Sequence, residues 1–283
     1  MKFIDLDFAR RVEMAEANAA KGCSAALTRL HPEFPVAMES IGGGIALFAG
    51  PESPVTQAIG VGLHGEVSDG DLDHLTEFFL SRGAPAAAEV CPLVDMKLYE
   101  RFASRGYRLL EVSDVLYLEL EQGVAFGELP RGVTVRAIEP HELKLWTATV
   151  AQGFAEHYPV TPELLDVMEG FAHRADAESF LAYVDGEVAG GGVVSAFEKV
   201  GGLFGASTLP AYRRRGVQRA LLEARIGWAR AQGCDLVVSI AQPASASHRN
   251  IERFGFRVAY TRTKLIRPLG AKAAQSPLPT PAA

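Results

Sequence analysis

The chain has 283 residues, with 28 Lys plus Arg against 34 Asp plus Glu, and a length that favours two domains over one. Residues 1–130 hold 10 basic against 20 acidic side chains, a net of −10, whereas the remainder holds 18 against 14, a net of +4. The acidic half excludes a nucleic-acid groove, and the second half gathers its positive charge into one turn and helix without interleaved aromatic residues, which excludes one there too.

The opening Met1-Lys2-Phe3-Ile4-Asp5-Leu6-Asp7 is acidic too early for a secretory leader. No apolar run approaches the ~20 residues of a spanning helix, so a cytoplasmic protein without a membrane partner is expected. Cys23, Cys91 and Cys234 are far apart and lack metal-ligand spacing, which predicts buried apolar roles and neither metal nor disulfide. Asp69, Asp71 and Asp73 predict a helix over about Asp71–Ser81, with acids at its favourable, positive end. Glu121–Gly132 reads as a linker on its Gly, Pro and polar content.

The second half opens with a strand over Val133–Ile138 and a helix over about Pro140–Phe154, proline suiting a first helical turn. The polar, aromatic link Glu156-His157-Tyr158-Pro159 leads to a helix over about Pro162–Ala172. Strands over Phe180–Val184 and Glu187–Ala196 flank Asp185-Gly186, the two-residue signal of a tight hairpin. Gly190, Gly191 and Gly192 interrupt the second strand and are read as structural.

Between Leu203 and Leu222 an apolar strand breaks at Pro210, passes through Arg213-Arg214-Arg215-Gly216, and enters an amphipathic helix over about Val217–Gln232. A helix start leaves about four backbone N–H groups unpaired and carries roughly half a positive charge. Arginines there oppose the dipole unless an anion sits between them. Gly216 lets the backbone approach such an anion, and Arg213, Arg214, Arg215 and Arg219 supply charge-assisted donors, which points to a phosphate. A strand over Leu236–Ile240, a serine-capped helix ending at Gly255 and a last strand over Arg257–Ile266 follow.

Arg213-Arg214-Arg215-Gly216-Val217-Gln218, with the elements around it, resembles the acyl-CoA loop Arg/Gln-x-x-Gly-x-Gly/Ala of the GCN5-related N-acetyltransferases. Gln218 departs from the final Gly or Ala, and its side chain is taken to point away from the cofactor. The resemblance implies acetyl-CoA as co-substrate, with pantetheine aligned by the backbone of Ser207 and Thr208, pyrophosphate held by Arg213 to Arg219 including Val217 and Gln218, and further contacts from Ser247 and Asn250. It places the acceptor near Glu156, His157 and Tyr158, of which Glu156 and His157 are candidate bases and Tyr158 a pocket wall. Many members carry a tyrosine four residues before the glycine of the Gly-Phe pair as the acid for the leaving thiolate; here Ile251 stands there and cannot give a proton.

Glu-Arg-Phe-Ala-Ser-Arg-Gly-Tyr-Arg at 100–108 parallels Asn-Ile-Glu-Arg-Phe-Gly-Phe-Arg at 250–257, with Gly106 matching Gly255, and Cys91-Pro92 parallels Gln242-Pro243. The expected fold is therefore α/β (α+β), two acetyltransferase-like domains in tandem, each a twisted mixed sheet flanked by helices. Residues 1–125 form a degenerate copy, 126–268 the acetyl-CoA-binding domain, and 269–283 a flexible tail. The first half is expected to bind no CoA, because its aspartates repel pyrophosphate, and to wall the acceptor site instead. The expected activity is transfer of an acetyl group to a primary amine of a small molecule or peptide by direct attack, with a non-catalytic acyl-CoA sensor as the alternative and homodimer formation left open.

Overall fold

The computed structural model describes residues 3–120, 128–156 and 159–270. Most of the expected linker, His157, Tyr158 and nearly all of the expected tail lie outside the described residues. The first half runs α1 (Leu6–Leu30), β1 (Val36–Ile41), β2 (Gly44–Ala49), β3 (Gln57–Ile59), α2 (Asp69–Leu80), β4 (Ala86–Val90), α3 (Lys97–Ser104) and β5 (Arg108–Glu119). The second runs β6 (Val133–Ala137), α4 (Leu143–Phe154), α5 (Pro162–Ala172), β7 (Ala177–Val184), β8 (Glu187–Phe197), β9 (Val200–Thr208), α6 (Val217–Ala231), β10 (Leu236–Ala241), α7 (Ala246–Phe254) and β11 (Arg257–Arg267).

The two expected sheets are in fact one. Eleven strands run β1-β2-β3-β4-β11-β5-β10-β9-β8-β7-β6, so each half gives its last strand to the other. β11, from the end of the chain, pairs antiparallel with β4, while β5 pairs antiparallel with β10. The two exchanged strands lie side by side and antiparallel, with Arg257 opposite Tyr117 and Ile266 opposite Arg108. A shift of 149 positions (257 − 108) carries each of these pairs onto the other. The same shift relates the register breaks, which leave Ala259 over on β11 and Leu110 over on β5. This two-fold relation is what a duplicated unit produces when its copies exchange a terminal strand.

α1 is the element that sequence reading missed. Asp5 caps it, its carboxylate accepting the Phe8 N–H at 2.9 Å. Phe8, Ala9, Val12, Ala15, Ala19, Ala20, Cys23 and Leu27 recur at helical spacing and are buried. It packs on β1, β2 and β3 on one side and on β8, β9 and α5 on the other, so the sheet curls around a helix of the first half. α4 and α6 cover opposite faces of the second half: a Cβ at Gly191 would strike Trp146 and Val150 of α4, whereas one at Gly192 would strike Arg225 of α6. That supports the structural role given to these glycines.

Candidate functional site

β9 and β10 pair in parallel only from Val200–Leu203 against Leu236–Ser239. Beyond that point β9 continues to Thr208 with β8 on one side only, and β10 continues to Ala241 beside β5. The strands part, leaving backbone on the inner edges of a wedge. A break in the β8–β9 register between Gly191 and Val193, with Gly205 at φ +52°, bends β9 at the same place. Ser207 lies along the wedge, but its hydroxyl is buried and donates to the Val150 carbonyl at 2.9 Å. Only its backbone remains for a ligand, as it does at Thr208.

A short 3-10 turn, Pro210–Tyr212, carries β9 into the basic turn. Arg214 adopts φ +63° and Gly216, the cap of α6, φ +84°. At Gly216 a side chain would be strained by that conformation and would also meet the Pro130 ring. Ala220 donates to the Gly216 carbonyl, so the amides of Val217, Gln218 and Arg219 precede the helical ladder and face outward. Arg213 pairs with Glu156 at 2.7 Å, Arg215 with Asp185 at 2.8 Å and Arg219 with Glu223 at 2.8 Å, the first two on the surface. Arg214 has no ion-pair partner among the described residues, which leaves its guanidinium open to an anion. Glu156 is thereby engaged with the basic turn, away from the cavity described below.

The Gln218 side chain turns toward α7. Asn250 donates to its Oε1 at 2.7 Å and its amide donates to the Ser247 hydroxyl at 3.3 Å, so it ties the start of α6 to α7 and joins the two other expected contacts. Ser245 caps α7 through the His248 N–H at 3.1 Å. Ile251 is buried in the core of the second half. His248, which sequence reading passed over, is buried with Nε2 3.0 Å from Asp114 of β5 and Nδ1 3.2 Å from Glu252.

The corresponding place in the first half is filled by its own acids. Ser68 and Asp71 form a reciprocal cap at the start of α2, the Asp71 carboxylate accepting from the Ser68 N–H at 2.7 Å and hydroxyl at 2.6 Å. Arg101 and Arg105 donate to the Asp69 carboxylate at 2.9 Å. Arg101 stands five residues before Gly106, as Asn250 stands five before Gly255, so one side-chain link to the helix start recurs with changed chemistry. Those bonds hold Asp69 and Asp71 below the usual carboxylate range. A cleft of about 770 Å³ opens beside them, but carboxylates occupy the helix start that a phosphate would need.

An apolar cavity of about 160 Å³ lies where the wedge meets α1. Phe204 and Gly205 of β9 and Ser239 and Ile240 of β10 form one wall, Met168 and Phe171 of α5 another, and α1 with β3 the third. The basic turn, the wedge and this cavity thus follow one another along β9 and the start of α6.

Residues 143–256 match the family model "Acetyltransferase (GNAT) family". The match lies wholly within the second half of the chain. The whole chain is similar in fold to a GCN5-related N-acetyltransferase from Kribbella flavida, with a TM-score of 0.63 and 18% identity over 90% of this chain and 96% of that one. It is also similar to a tandem GNAT protein from the clavulanic acid biosynthesis pathway, with a TM-score of 0.57 and 16% identity over 93% and 96%. A functionally unknown conserved protein from Staphylococcus epidermidis matches at a TM-score of 0.55 and 12% identity over 85% and 96%. No curated protein matches the sequence. No described helix is long and apolar enough to cross a membrane.

Proposed function

We propose that the protein is an acetyl-CoA-dependent N-acetyltransferase whose second half binds the cofactor and whose two halves together enclose the acceptor. The observation that carries this reading is the parting of β9 and β10 after Leu203 and Ser239, directly followed by the glycine-capped basic start of α6. Arg214 and the first amides of α6 would hold the pyrophosphate, with Arg213 and Arg215 released from exposed ion pairs that cost little to open and Arg219 adding its charge beside them. Backbone groups of Phe204 to Thr208 would align the pantetheine along the wedge.

In the reaction the lone pair of a neutral amine attacks the thioester carbonyl, the C–N bond forms, the C–S bond breaks, and CoA leaves as the thiolate. An amide donor on the bent edge of β9 would stabilise the oxyanion. The amine proton passes to solvent or to the thiolate. Ile251 supplies no acid, and its burial favours a second reading, an acyl-CoA sensor without turnover.

Calorimetric titration of acetyl-CoA into the wild type and Gly216→Glu tests the cofactor site. Micromolar binding lost in the variant supports it; absence of binding by the wild type overturns it. Acetylation of any primary amine then separates the enzyme from the sensor.

A further inference from the structure

The cavity behind the wedge is mostly apolar: Ser239 on the β10 wall donates its hydroxyl to the Leu203 carbonyl at 3.4 Å, and the two other hydrogen-bonding side chains that reach it, Glu16 and Gln57, belong to the first half. Gln57, the first residue of β3, is buried, and its amide hydrogen-bonds Glu89. Its Oε1 nevertheless has no partner among the described residues. A buried carbonyl oxygen without a donor costs free energy, so its presence beside a cavity indicates a donor supplied from outside. Glu16 of α1 lines the same cavity, and Arg262 donates to both of its carboxylate oxygens, to Oε1 at 2.8 Å. Arg262 is in turn shared with Glu13 and Glu89, so three carboxyl groups surround one guanidinium. The wall of α1 and β3 therefore offers the Glu16 carboxylate and an unused acceptor at Gln57, and no cationic side chain lines the cavity.

We propose that Glu16 and Gln57 form the acceptor subsite, specific for a small primary ammonium with an apolar body. The ammonium donates to Gln57 Oε1 and faces the Glu16 carboxylate, while the body lies against Val12, Ile59, Met168 and Phe171. A volume of about 160 Å³ is that of a benzene-sized group, which matches an arylalkyl or short alkyl amine and excludes an aminosugar or a peptide. An anionic ligand meets the Glu16 carboxylate and finds no cationic side chain in the lining to pair with. The acetylation chemistry rests on the function proposed above, but the subsite does not, because amine binding can be read without cofactor.

Ligand-observed NMR titration of the full-length protein with benzylamine, without acetyl-CoA, tests it. Benzylamine is expected to bind at least about tenfold more tightly than phenylacetate, which has the same ring and the opposite charge, and tenfold more weakly to Gln57→Leu. Thermal unfolding checks that this variant is folded, and the ligand pair on the wild type serves if it is not. With acetyl-CoA present, Gln57→Leu is expected to raise the amine KM and leave that of acetyl-CoA unchanged. Equal binding of phenylacetate, or benzylamine binding unaltered in a folded Gln57→Leu, overturns the subsite. If benzylamine binds as expected while acetyl-CoA does not, the subsite stands and the acetyltransferase reading falls.

Discussion

Arg262 of the last strand and Glu13 of the first helix lie 3.2 Å apart, both buried, although 249 residues separate them in the chain. The pair exists only because β11 crosses into the first half, so it links the integrity of the exchanged sheet to the wall of the acceptor cavity. Truncating Arg262 leaves Glu13, Glu16 and Glu89 without their counter-charge. Arg262→Met is expected to destabilise the protein by about 3–5 kcal/mol, a fall of roughly 10 °C in Tm by calorimetry. An unchanged Tm would show that the guanidinium is not needed there.

Burial pushes the Glu13 carboxyl up to about 7 despite Arg262 beside it. The folded state therefore binds a proton that the unfolded state has released between about pH 4.5 and 7, and stability from this group falls as pH rises through that window. The span corresponds to about 3 kcal/mol. Glu13→Gln, which keeps the shape and removes the titration, is expected to gain stability over the wild type from pH 5 to 7 and hold a constant advantage above. Parallel Tm profiles for the two proteins would refute the shift.

Arg214, alone among the turn arginines in lacking an ion-pair partner among the described residues, is expected to contribute most to cofactor affinity. Arg214→Ala should weaken acetyl-CoA binding about tenfold, the loss of one charge-assisted contact, and reduce its dependence on salt. The Tm without cofactor should barely move, since the side chain holds nothing else.

Calorimetry should also return one acetyl-CoA per chain. Asp71 occupies the start of α2 and Asp69 is bound by Arg101 and Arg105, so the first half offers no phosphate site. A stoichiometry of two would overturn that account.

A fragment of residues 131–268 is expected to aggregate or to unfold without cooperativity in circular dichroism. It lacks β5, leaving β10 with an open edge and β11 without either of its sheet neighbours. A soluble, cooperatively folded fragment would show that the exchange is dispensable.

Local order was legible where chemistry and spacing act over a few residues. Pro162 to Ala172 and the start of α6 at Val217 fall where Thr161, Pro162 and Gly216 signal them, and Gly255 ends α7 as its φ of +114° requires. The anion turn was legible for the same reason: a strand, a glycine and arginines at a helix start are contiguous. α1 was also within reach, since Asp5 and the repeated apolar positions announce it.

What the sequence determined by itself, then, is the duplicated order of elements and the glycine-capped basic turn at the start of α6, because hydrogen-bond capping, glycine conformation and apolar periodicity are local. Tertiary structure alone decided that the two units share one sheet, that Gln218 reaches toward Ser247 and Asn250, and that Glu16 and Gln57 from the acidic half face the wedge of the basic one. Strand exchange depends on which edges meet in space, and a buried carboxylate acquires its partner only when β11 brings Arg262 to it; neither leaves a pattern in consecutive residues.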